Sequence, residues 1–166
     1  RARDKIHAVE RDYTHYFAVG ACGEEGADQY VYQHFNTLCV VGLAPSHAAL
    51  AGGRKVVEVD FQVGKSNKLD NNKVSGKKKS GAIFMTEEGR LCDVVCDDGT
   101  RHKVRSCIRG HLLELNERLR EEPWLLNAKA GTEGFVAVIQ PKSHEDKTVC
   151  RALLTEEAYR SRAAPP

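Results

Sequence analysis

The sequence predicts one mainly β domain of short strands, and three observations carry that prediction. Val57, Val59, Phe61 and Val63 alternate with Glu58, Asp60 and Gln62, the period of two of a half-buried strand. The other apolar runs, such as Leu91 to Cys96 and Phe135 to Ile139, are short and bounded by glycine-containing turns. The chain has 166 residues, 41% of them hydrophobic and 29% charged, which supplies one well-buried core and rarely two.

The elements follow in order. Val9 to Phe17 has spaced aromatics and no breaker and reads as a short helix or a packed arm, so residues 1–29 are assigned to an N-terminal arm. Cys22 to Ala27 is a glycine-rich turn. Tyr30 to Phe35 and Thr37 to Leu43 read as two strands around a tight turn at Asn36, and Ser46 can cap a short helix through Leu50. After the alternating strand, Gly64 to Asn72 reads as a polar loop, and Lys73 to Lys79, Ala82 to Thr86 and Leu91 to Cys96 as short strands.

The turn at Asp97 can be read to register. With Asp97, Asp98 and Gly99 as a three-residue loop and Gly99 left-handed, Cys92 faces Val104 and Asp93 faces Lys103. That pairs opposite charges and puts Cys92, Val94 and Val104 on one apolar face. A two-residue loop sets Asp93 against Val104 instead. Asn116 to Leu126 is polar with a leucine stripe, Phe135 to Ile139 is a buried strand, and Leu153 to Arg160 is a helix with Thr155 as its cap. The domain is assigned to residues 30–160 and a disordered tail to 161–166.

Several function classes find little support. No run approaches the roughly 18–20 apolar residues of a membrane span, and no apolar stretch behind Arg1 to Lys5 reads as a secretory signal. Cys92, Cys96, Cys107 and His111 have a zinc-like spacing, but the first two lie about 13 Å apart on one strand and the register turns Cys107 to the other face. Buried, reduced cysteines explain them better, and no metal is expected. His34 and His47 flank the first hairpin without a nucleophile at a recognisable elbow, Cys39 lies in an apolar run, and Trp124 reads as a core anchor. No nucleophile, base and orienter assemble, so no catalytic residue is assigned.

Charge is informative by its distribution. The net charge is only +2, yet Arg54 to Lys79 holds eight basic residues against Glu58, Asp60 and Asp70, a local net of +5. Lys65, Lys68, Lys73, Lys77, Lys78 and Lys79 are the candidate partner-binding residues, and their complement is an acidic surface. Nucleic acid ranks below an acidic protein because Phe61 is the only aromatic in that stretch.

Val104 to Ile139, with its Gly110 turn and Asn116-Glu117, is similar to the second half of the glycine-cleavage H-protein, a lipoyl carrier with a hammerhead, or barrel-sandwich hybrid, fold. Tyr30 to Leu50 resembles that family's opening hairpin and Leu153 to Tyr159 its closing helix. The lipoyl lysine of that family sits on the hairpin tip, where this chain has Gly99. Lys103 lies down the strand, so neither a lipoyl nor a biotinyl cofactor is expected. A closer resemblance covers Tyr32 to Leu50, Asn72 to Gly81, Leu91 to Gly110, Leu115 to Glu117 and Thr132 to Gly134. It is to the abitram (Simiate) family of H-protein-like proteins without the carrier lysine. That resemblance implies a non-enzymatic protein that binds monomeric and filamentous actin and regulates actin assembly. It also implies a cytoplasmic, cytoskeletal location and a nuclear, speckle-associated pool linked to transcription. The alternatives are a lipoyl- or biotinyl-type carrier and a nuclear nucleic-acid or protein adaptor.

Overall fold

The computed structural model describes residues 12–63, 66–67, 83–142 and 148–163. Among them, two antiparallel sheets pack face to face, as the predicted mainly β class requires. The larger contains β1 (Tyr13–Ala18), β2 (Gln29–His34), β3 (Cys39–Leu43), β7 (Phe84–Met85), β10 (Gly110–Leu115), β11 (Ala137–Gln140) and β12 (Leu154–Thr155), in the order β12-β1-β2-β3-β11-β10-β7. The smaller is β4 (Val56–Asp60), β8 (Arg90–Cys96) and β9 (Arg101–Arg105), in the order β4-β8-β9. A two-stranded ribbon joins β5 (Gln62–Val63) to β6 (Ser66–Asn67). Two single-turn helices, α1 (Arg118–Glu121) and α2 (Leu125–Ala128), link β10 to β11, and α3 (Glu156–Ala163) closes the described chain.

Strand alternation sorts the core into two layers, because successive side chains point to opposite faces. Cys39, Val41 and Leu43 of β3, Val31 of β2 and Ala137 and Ile139 of β11 meet Val59, Cys92, Val94 and Val104 of the small sheet. Val40, Val138, Tyr30 and Tyr32 point the other way, into a layer with Tyr13, Phe17, Phe135 and Tyr159. The second layer is largely aromatic: Tyr30 stacks on Tyr32 with centroids 4.0 Å apart, and Phe17 stacks on Tyr159 at the same distance. That stack seats α3 on β1. Asp28 secures it from below, accepting from the Gly20 amide at 2.8 Å, the Ser46 hydroxyl at 2.7 Å and Arg162 at 3.2 Å.

Gly42 is where the aromatic layer touches backbone. A Cβ there would lie 2.4 Å from both the Cζ and the hydroxyl oxygen of Tyr30, and Tyr30 cannot retreat, since it stacks on Tyr32 and its hydroxyl donates to the Ala130 carbonyl at 2.5 Å. Gly42→Ala is expected to cost about 1–3 kcal/mol through overpacking, read as a lower urea midpoint with an unchanged slope. An unaltered midpoint means the layer has slack that the packing does not show.

The Asp97 hairpin follows the predicted register: Cys92 pairs with Val104 and Asp93 with Lys103, and Gly99 has φ 86°. Thr155 caps α3 through its hydroxyl, 3.2 Å from the Ala158 amide. Five expectations need correction. The helix or arm expected over Val9 to Phe17 is, from Tyr13, strand β1, laddered to β2 from Tyr13↔His34 to Ala18↔Gln29. Tyr13 and Phe17 are four apart, a spacing that shares one face in a helix and in a strand alike. The cap of the turn Ala48–Leu50 is His47, whose Nδ1 accepts from Ala49, and not Ser46. Val57 is 54% exposed, because a bulge between Val56 and Glu58 turns Val56 inward instead. Trp124 is 49% exposed, and Leu119, Leu125 and Leu126 are the buried anchors of that connection. Finally, α3 continues beyond residue 160, where a disordered tail was expected.

Candidate functional site

The hairpin tip is a braced turn. The Asp98 carboxylate accepts from the Thr100 hydroxyl at 2.7 Å, the Thr100 amide at 3.0 Å and Arg54 Nε at 2.7 Å. The Thr100 hydroxyl first, and Arg54 next, hold its carboxyl well below the usual carboxylate range. The amide of Asp97 donates to the Lys55 carbonyl at 2.8 Å, which ties the tip to the start of β4. No residue from Cys96 to Thr100 carries an amine. A swinging cofactor arm needs an exposed lysine on such a turn, so the residues present do not fit a lipoyl or biotinyl group.

Below the tip, charge is neutralised within the sheet. The register sets Asp93 against Lys103, but its buried carboxylate is taken by Arg90 at 2.7 Å and Arg101 at 3.3 Å. Arg101 also reaches Asp60 at 2.9 Å, and Arg105 reaches Glu24 at 2.8 Å. The arginines of the small sheet are therefore held by acids of the same fold.

All six candidate lysines, Lys65, Lys68, Lys73, Lys77, Lys78 and Lys79, lie outside the described residues, as does the strand predicted over Lys73 to Lys79. The point where that stretch rejoins the fold is described. Ile83 accepts from the Leu112 amide at 2.8 Å, and Phe84 then pairs with His111 across β7 and β10. The Phe84 ring gathers cations from two distant parts of the chain. Lys142 Nζ lies 4.6 Å from its centroid and the Arg109 guanidinium carbon 5.5 Å, while His111 meets it edge-on at 5.3 Å. Charge counting along the sequence misses this cluster, because Arg109 and Lys142 converge only when β10 and β11 pair.

The remaining polar clusters are poorly suited to catalysis or to metal binding. A groove of about 350 Å³ runs beside Cys22, Cys107 and Glu87. Both cysteines have positive φ, 56° and 66°, but burial pushes the Cys107 thiol up to about 12 and raises that of Cys22, so both stay protonated. Burial pushes the Cys92 thiol well above its ordinary range, and Cys96 turns its thiol to the Ala49 carbonyl at 3.4 Å. Among the described residues no three His, Cys, Asp or Glu side chains are gathered as a metal needs. His34 packs against Phe35 and Tyr13, Cys39 is buried, and His47 spends its Nδ1 on the cap. No helix of the described residues is long and apolar enough to cross a membrane.

Comparison with known proteins agrees with this geometry. Residues 99–164 match the family described as Glycine cleavage H-protein. The solved glycine cleavage system H protein of Mycobacterium marinum superposes with a TM-score of 0.59, over 89% of this chain and 94% of that one; at 14% identity the likeness is one of fold. Much nearer in sequence is Protein Abitram of Danio rerio, 41% identical over 151 residues, 91% of this chain and 85% of the relative. Protein Abitram of Homo sapiens is 39% identical over 151 residues, 91% and 83%. That of Dictyostelium discoideum is 38% identical over 136 residues, 80% and 74%. An H-protein-like sandwich whose hairpin tip carries acids in place of a lysine, with sequence identity of this extent, belongs to the Abitram family.

Proposed function

We propose that this chain is a non-enzymatic actin-binding protein that regulates actin assembly. It works in the cytoplasm at the cytoskeleton and in a nuclear pool linked to transcription. The observation that carries this reading is the joint one of family and tip. The chain keeps the H-protein-like scaffold while its carrier position is a turn closed by Asp98 and Gly99. A scaffold without its cofactor arm acts through its surface, and the charge excess of this surface lies between Arg54 and Lys79. Monomeric and filamentous actin are the partners, met through Lys65, Lys68, Lys73, Lys77, Lys78 and Lys79.

Actin co-sedimentation of the wild type beside a Lys77→Glu, Lys78→Glu, Lys79→Glu triple variant tests it. Binding by the wild type and its loss in the variant are expected. Equal binding removes the lysine site and spares the function; absence of wild-type binding sinks the function. The match of residues 99–164 to the H-protein family keeps one rival, a cofactor carrier. Intact mass decides that one: a lipoyl- or biotin-sized increment on any lysine overturns the present reading.

A further inference from the structure

We propose that Cys39 and Cys150 form a redox latch: a peroxide joins their sulfurs in a disulfide that fastens the C-terminal segment to the middle of the large sheet. The latch is independent of any acidic partner and places the closing of the fold under covalent control.

All six cysteines are free and lie within the described residues, and their surroundings set one pair apart. Cys92 and Cys96 are four residues apart on β8, about 13 Å along a strand, too far to join. Cys96 turns to the Ala49 carbonyl, Cys107 to the Arg105 carbonyl at 3.8 Å and Cys22 to the Glu87 carbonyl at 3.9 Å. Cys39 instead meets a second thiol, with its side chain hydrogen-bonded to that of Cys150. Both belong to the buried layer between the sheets, at 0% and 4% exposure. Tyr16 packs against the same layer and lies within electrostatic reach of both. A disulfide draws the sulfurs to about 2 Å, and thiols already in contact have little distance left to close. Cys150 lies in the turn region before β12, so its backbone can shift without breaking a strand pair.

Their places in the fold give the bond its effect. β3, which carries Cys39, is the middle strand of the large sheet, and β12 is an outer one. A Cys39–Cys150 bond therefore ties the edge to the centre across β1 and β2. β12 holds β1 through two register pairs, and α3 rests on the Phe17–Tyr159 stack and the Arg162–Asp28 pair. Peripheral segments with so few ties open before the whole fold does.

That opening starts the chemistry. In the closed fold the Cys150 thiol first, and burial next, keep the Cys39 thiol protonated, and a protonated thiol is a poor nucleophile. Once the segment lifts, one thiolate attacks the peroxide. The O–O bond breaks, the sulfur is oxidised to a sulfenic acid, and the released oxygen leaves as water with the thiol's proton. On closure the second thiol attacks that sulfur, the S–O bond breaks and a second water leaves. Two thiols and one hydrogen peroxide thus yield one disulfide and two waters.

The experiment treats the reduced full chain with a small excess of hydrogen peroxide, then alkylates it with N-ethylmaleimide in urea. The expected result is a loss of about 2 Da before alkylation, four alkylated cysteines in place of six, and one tryptic cross-link from Cys39 to Cys150. Hydrogen exchange at the amides of β12 and α3 should slow about tenfold or more in the oxidised chain and recover with dithiothreitol. Cys150→Ala should lose both effects and Cys22→Ala keep them, with reduced thermal midpoints near the parent's. The wild-type peptide map carries the test even where a variant folds poorly. Several results each overturn the latch: a Cys22–Cys107 cross-link in its place, sulfinic or sulfonic acid at Cys39 or Cys150 without a cross-link, six thiols left intact, or a cross-linked chain whose exchange is unaltered.

Discussion

Gln29→Leu is expected to lower stability by about 2–5 kcal/mol, although it replaces a polar side chain by an apolar one in a buried place. Gln29 is fully buried on β2. Its amide donates to the Arg105 carbonyl at 2.7 Å and accepts from the Arg105 amide at 2.9 Å. Arg105 ends β9 in the other sheet, so one side chain reproduces a ladder pair between two sheets that are otherwise held by packing. Leucine fills the space but leaves a backbone N–H and C=O buried and unpaired, each costing about 1–3 kcal/mol. Set against a total stability of roughly 5–15 kcal/mol for a domain, that is a large share. Urea unfolding measures the loss, and faster hydrogen exchange at the Arg105 amide locates it. A variant within about 0.5 kcal/mol of the parent would show that the bridge does not clamp the sheets.

The second large effect is a dependence on pH that resides in His47. Its ring is 1% exposed, and its Nδ1 accepts the Ala49 amide at 3.0 Å, so the neutral ring carries its proton on Nε2. Burial, with the nearby His102 next, pushes its pKa from 6.5 to about 4; Asp28 opposes the shift. Below pH 6.5 the unfolded chain takes up a proton that the folded ring refuses. Stability therefore falls as the pH drops from 6.5 toward 4 and levels off below that. At about 1.4 kcal/mol per unit, the loss by pH 5 is about 2 kcal/mol. His102, also lowered chiefly by burial, acts in the same sense. In His47→Asn a side-chain oxygen can still accept from Ala49, and nothing titrates. Its stability difference between pH 7.5 and 5.0 is expected to be about 2 kcal/mol smaller than the parent's, and an unchanged difference sinks the assignment.

What the sequence revealed and what it hid divide along physical lines. The Asp97 hairpin was legible to the residue, because a left-handed glycine and a complementary charge pair fix register locally. Even so, the true partners of Asp93 are Arg90 and Arg101; side-chain reach, not strand opposition, chose them. Strand β1 was hidden because the Tyr13–Phe17 spacing fits two periods, and the partners that select one, β2 and β12, come later in the chain. The bulge at Val57 and the cap at His47 depend on neighbours from β8 and on local backbone geometry that periodicity does not encode. The site divides the same way. The lysine excess is visible as composition, whereas the Phe84 cluster exists only once residues 84, 109, 111 and 142 are brought together.

The pairing of Tyr16 with Thr155 and of Phe17 with Leu154 also bears on how the molecule is made. The first described strand waits on the ribosome for a neighbour synthesised 139 residues later at Tyr16↔Thr155. Until that neighbour and α3 emerge, Phe17 lacks Tyr159 and the aromatic layer stays open to water. Contacts of such long sequence separation slow folding, and an uncovered apolar sheet face is prone to association in the meantime. A nascent chain stopped before residue 154 is therefore a natural client for a chaperone, and the emergence of β12 and α3 is the step that closes the aromatic layer.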